Sequence, residues 1–172
     1  MAETSAQRRA MAYHEAGHAV VAWYYGFGCT ASIRPGDDNV RRHFSTMLLR
    51  RLRPGVELTV NDREQLEAHV RCVLAGAIAQ RKSDPQTYDR AVDGSDRRMA
   101  VELLYWLAET EQELTAYWQL LAIQTRDLLN RASIWPLVEA VASKLVEQEE
   151  LNGPDCEDVI RAGVKQLKSG QP

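Results

Sequence analysis

Nowhere in this sequence do about eighteen apolar residues follow one another, so the pattern offers no membrane-spanning helix. Charge interrupts residues 1–26 before any apolar segment reaches the length of a signal peptide, and a soluble, cytoplasmic protein with no membrane partner is expected. Neither sign of charge dominates: 21 Lys and Arg stand against 24 Asp and Glu, a formal net charge of -3 that supplies no broad attraction for nucleic acid. Cysteine is scarce. Cys29, Cys72 and Cys156 are odd in number and far apart, which argues against a disulfide framework and against a Cys-x-x-Cys zinc site, and leaves buried free thiols as the expectation. No Gly-x-x-x-x-Gly-Lys-Ser/Thr phosphate loop occurs, so the chain has no seat for a nucleotide of its own. Repeats, low-complexity tracts and flexible linkers are also missing, and residues 1–172, 45% of them hydrophobic, read as one domain.

What is present is mainly helical periodicity. Thr4 and Gln7 have capping-box spacing, and a first helix is expected from Thr4 to Tyr25, stopped by Gly26. Cys29 to Ile33 and Val40 to Leu49 read as strands of a small hairpin about the turn-rich Pro35 to Asn39, with Val56 to Val60 as a third strand. Asn61 with Glu64 marks the next helix start, after which Leu66, Val70, Val73, Leu74 and Ile78 recur at helical spacing to about Arg81. Ser83 to Gly94 is a polar loop, and Ser95 is placed to cap a further helix through Val101, Leu104 and Leu107. Three more helices are expected over 111–131, 133–148 and 154–167. The fold class is therefore mostly α with a small β-hairpin or sheet.

The first helix carries His14-Glu15-Ala16-Gly17-His18. Residues four apart on a helix share a face, with Cβ atoms about 5–6 Å apart, so two imidazoles can address one ion. Glu15 projects beside that face. As a His-Glu-x-x-His motif this is the chemistry of a zinc metallopeptidase, in which the glutamate acts as general base toward zinc-activated water. A catalytic zinc has three protein ligands and keeps one position open, so one zinc per chain requires a further ligand. By chemistry the candidates are His43, His69, Asp89, Asp93 and Asp96, and spacing does not choose between them. For Asp96, helix capping is as good a reading as ligation.

The segment Ala12-Tyr13-His14-Glu15-Ala16-Gly17-His18-Ala19-Val20-Val21 resembles the zinc-binding helix of the FtsH-type ATP-dependent metallopeptidases. Val73 to Ala79 is similar to that family's second helix with its paired glycines, of which Gly76 is kept and the other is Ala75; the glutamates that follow are replaced by Gln80 and Arg81. Gly94 to Ala100 is similar to its Asn-Asp-Leu-x-x-Ala segment, with Ser95 in place of the asparagine and Val101 in place of the threonine after the alanine. The stretches from Leu128 to Asn130 and from Glu149 to Gly153 resemble its closing helices and turn. Where the family has glycines before Thr-Met on its substrate-side strand, this chain has Phe44-Ser45 before Thr46-Met47.

The resemblance implies a helical, zincin-like peptidase fold, Asp96 as third zinc ligand, and a peptide or unfolded protein as substrate. It also implies a family whose ring-forming ATPase and transmembrane parts have no counterpart here, which points to a separate ATPase or unfoldase as partner and leaves homo-oligomerisation open. The expected activity is zinc-dependent endopeptidase, with Glu15 as base. The alternative is a zinc-binding regulatory or adaptor protein of the same fold with weak or no turnover, and a third is structural zinc.

Overall fold

The computed structural model describes residues 5–34, 52–86 and 94–170. Among them are six helices, α1 (Ser5–Tyr24), α2 (Val60–Ser83), α3 (Gly94–Leu104), α4 (Glu111–Leu129), α5 (Trp135–Gln148) and α6 (Gly153–Ser169), and two short strands, β1 (Ala31–Ser32) and β2 (Glu150–Leu151). The mostly helical class and its small sheet follow the sequence pattern. No helix among the described residues is long and apolar enough to cross a membrane.

α1 ends where expected: Gly26 takes φ +78°, a left-handed conformation that glycine adopts without steric cost. The sheet departs from expectation. β1 pairs antiparallel with β2, Ala31 opposite Leu151 and Ser32 opposite Glu150, so its observed partner comes from the far end of the chain. The strand expected over Val40 to Leu49 lies outside the described residues. The third strand expected over Val56 to Val60 is not formed: Val56 N–H closes a turn on the Arg53 carbonyl, and Thr59 already caps α2. Thr59 Oγ1 accepts from Asp62 N–H at 3.1 Å while Asp62 Oδ2 accepts from Thr59 N–H at 3.1 Å. This reciprocal box starts α2 two residues ahead of the Asn61 and Glu64 pair that the sequence suggested. Likewise α3 includes Gly94, so Ser95 sits in its first turn and does not cap it.

Two apolar clusters meet on α2. The first joins α1 residues Ala16, Val20 and Val21 to Ala75 and Ala79 of α2, Leu137, Val141 and Leu145 of α5, and Ile160 of α6. The second joins Leu66, Val70, Val73 and Leu74 of α2 to Leu103 and Leu104 of α3 and Leu121 of α4. Small residues let α1 and α2 approach closely. A Cβ on Gly17 would stand 2.6 Å from the Ala75 carbonyl oxygen and 2.6 Å from the Ala79 Cβ, closer than packed atoms tolerate.

Candidate metal centre

His14 and His18 lie one turn apart on the buried side of α1, their rings edge to face with centroids 4.7 Å apart. Asp96, in the first turn of α3, reaches both. Its Oδ2 is 2.8 Å from His14 Nε2 and 3.0 Å from His18 Nε2, and the two Nε2 atoms are 3.0 Å from each other. All three residues are buried, at 2%, 5% and 4% exposure, so bulk water does not compensate these contacts.

The outer partners decide the tautomers. His18 Nδ1 lies 2.7 Å from the Cys72 carbonyl, which only accepts, so Nδ1 carries the hydrogen and Nε2 of the neutral ring is a lone pair. His14 Nδ1 lies 3.2 Å from Gln80 Oε1, and the same assignment leaves its Nε2 unprotonated. Two imidazole lone pairs and a carboxylate oxygen thus converge on one point. Three acceptors this close repel unless a proton or a cation stands between them.

The donor set fits a divalent metal of zinc's character: two imidazole nitrogens and one carboxylate oxygen, with each imidazole oriented through its other nitrogen by a carbonyl. With zinc bonds of about 2.0–2.1 Å, tetrahedral ligand atoms stand about 3.3 Å apart, so the triad would spread by about half an ångström or less. The space is kept by Gly76. A Cβ there would collide with His18 Nε2 and lie 2.8 Å from His14 Nε2.

Of the expected site residues, His14, His18 and Asp96 come together; they form the only group of three or more possible metal-ligating side chains found among the described residues. Glu15, the next residue on α1, is half-buried. His69 is elsewhere: its Nδ1–H donates to the Gln65 carbonyl at 2.7 Å, its ring lies on Phe27 with centroids 4.3 Å apart, and burial pushes its pKa below the ordinary histidine value. His43, Asp89 and Asp93 lie outside the described residues. Sequence reasoning did not foresee the roles of Cys72, Gly76 and Gln80, which recur at i, i+4 and i+8 and so form one stripe of α2 facing the two histidines. The available signal was Gln80, an amide directly after the apolar run Val73 to Ala79 of the same helix. No family model matches this chain, and no curated protein matches it.

Proposed function

We propose that this chain is a zinc-dependent endopeptidase domain of the FtsH type. The observation that supports the reading most is the convergence of His14 Nε2, His18 Nε2 and Asp96 Oδ2 with both imidazole tautomers set for ligation. His14, His18 and Asp96 would hold the ion; Gln80 and the Cys72 carbonyl fix the ring orientations; Gly76 leaves the volume. Zinc bound there would supply a Lewis acid for a substrate carbonyl and would bring the pKa of water toward about 7. Glu15 follows His14 directly on α1 and is only half-buried, which suits a base that accepts a proton from the attacking water and delivers it to the departing amine. The substrate is flexible or unfolded polypeptide, because folded chains hold their backbone in their own hydrogen bonds and open only at a free-energy cost.

The test is zinc-loaded protein on a disordered substrate, with Glu15→Gln as control. The variant should retain zinc and melting temperature and lose cleavage by about two to four orders of magnitude. Equal cleavage by both proteins would sink the mechanism. Zinc bound by both with no cleavage by either would instead support the non-catalytic zinc-binding reading.

A further inference from the structure

The register of the small sheet has a chemical consequence away from the metal centre. With Ala31 opposite Leu151, two residues further along the antiparallel pair bring Cys29 against Gly153, and the Cys29 Sγ lies 4.0 Å from the Gly153 carbonyl. Cys156 follows within the first turn of α6, three residues beyond Gly153, and its thiol lies near enough to that of Cys29 for each to influence the other's ionisation. Both residues belong to the apolar cluster under α1. Two thiols that the sequence holds far apart are therefore neighbours in one buried cluster.

We infer that Cys29 and Cys156 form a peroxide-responsive dithiol, Cys29 being the sulfur that is attacked and Cys156 the thiol that resolves it into an intramolecular disulfide.

Three observations carry the roles. The neighbouring Cys156 thiol holds the Cys29 thiol below its ordinary pKa, while Cys156, which keeps the proton, is raised by the same neighbour and by burial. Cys29 is thus the sulfur that ionises first, and the thiolate is the nucleophile. It is also the one with an approach: Cys29 lines a cavity of about 470 Å³ together with Trp23, Phe27, Pro154 and Arg161, whereas Cys156 is wholly buried and does not line it. A water's share of liquid volume is about 30 Å³, so hydrogen peroxide enters such a space readily. Finally, Cys29 sits in the irregular segment between α1 and β1, where its side chain turns without breaking a helix hydrogen bond.

The chemistry balances with hydrogen peroxide as oxidant. The Cys29 thiolate attacks one peroxide oxygen, the O–O bond breaks, and hydroxide leaves, giving the sulfenic acid. The Cys156 sulfur then attacks the Cys29 sulfur, the S–O bond breaks, and water leaves carrying the Cys156 proton. Two thiols lose two electrons and two protons, and one peroxide becomes two waters. Cys72 takes no part: burial raises its thiol to about 12, and it lies on α2 beside the metal centre.

The experiment treats the reduced, full 172-residue chain with hydrogen peroxide and reads intact mass, free thiols and disulfide-linked peptides. The parent and Cys72→Ser proteins should each become two hydrogen masses lighter, with a 29–156 cross-linked peptide that dithiothreitol reverses; the parent's titratable thiols should drop from three to one. Cys156→Ser, lacking the resolving thiol, should accumulate a dimedone adduct on Cys29. Cys29→Ser should show neither the cross-link nor an adduct on Cys156. A parent chain that keeps all three thiols under peroxide levels that oxidise free glutathione would overturn the inference, as would a cross-link through Cys72 or a dimedone adduct on Cys156 with Cys29 unmodified. The parent-chain measurement stands even if a serine variant fails to fold.

Discussion

The two faces of α2 differ in what they are made of and in what they do. Toward α3 and α4 it presents Leu66, Val70, Val73 and Leu74, large side chains that fill the second apolar cluster. Toward α1 it presents Ala75, Gly76 and Ala79 with Cys72 and Gln80, residues that bury little apolar area. On the first face, side chains keep the backbones apart and contribute stability through buried area. On the second, their near absence lets α1 come close enough for its imidazoles to use a backbone carbonyl and an amide of α2 as partners. One helix thus separates the stabilising contacts from the site-building ones, and substitutions on the two sides should fail in different ways.

The largest contrast is between Gly76→Ala and Leu121→Ala. The methyl at position 76 collides with the point where the Nε2 atoms converge, so at least one imidazole must swing away. Zinc affinity should fall by more than the about 10–100-fold typical of losing an outer partner. Leu121, fully buried in the second cluster on α4, should cost about 2–5 kcal/mol of stability when cut to alanine, while the folded fraction still binds one zinc. Denaturant unfolding paired with zinc titration separates the two. If Gly76→Ala bound zinc as the parent does, the assignment of the site to this face would fall.

A smaller effect sharpens the same contrast. Gln80→Leu keeps a side chain of similar volume but removes the oxygen that accepts from His14 Nδ1–H. Zinc binding should weaken by about 10–100-fold, or about 1.4–2.7 kcal/mol, because His14 loses its fixed tautomer and orientation. Gln80→Glu should restore the acceptor and recover at least the parent affinity. Competition with a chromophoric chelator measures both. Equal weakening by both variants would mean that Gln80 acts through packing alone.

What was legible in the sequence divides along the same line. His14 and His18 could be placed on one helix face by a spacing of four, and Gly26 marked the end of that helix. The partner of the pair could not be chosen: five residues had suitable chemistry, spacing was silent, and Asp96 stood out only through the resemblance. Which acceptors meet Nδ1 depends on how α1 and α2 cross, and that crossing is set by Gly17 against Ala75 and Ala79, a relation between helices that no local pattern carries. The third strand was misread for a similar reason, and the pairing of β1 with β2 was not foreseen. The β-branched residues Val56, Thr59 and Val60 suggested a strand, but the Thr59 and Asp62 capping box won, while β1 found its partner beyond α5. The meeting of Cys29 and Cys156 follows from that pairing, so it was hidden with it.

The smallest expected effect concerns His69, a histidine that the fold holds apart from His14, His18 and Asp96. Its ring packs on Phe27, its Nδ1–H is used by the Gln65 carbonyl, and burial lowers its pKa from the ordinary value. A lowered histidine pKa means that the folded protein resists a proton which the unfolded chain accepts at about pH 6.5. The neutral ring's contribution is therefore complete above that value. As pH falls below about 6.5 the unfolded state gains a proton that the folded state does not, and stability declines until the pH reaches the folded-state pKa, where the loss levels off. Metal binding would itself depend on pH, so the comparison belongs in a zinc-free His14→Ala/His18→Ala background, with and without His69→Leu. Urea midpoints from about pH 7.5 down to about pH 5 should fall less steeply with His69 replaced, and the two curves should run parallel above about pH 6.5. If the slopes matched throughout, His69 would titrate alike in both states, and its burial against Phe27 would carry no electrostatic cost.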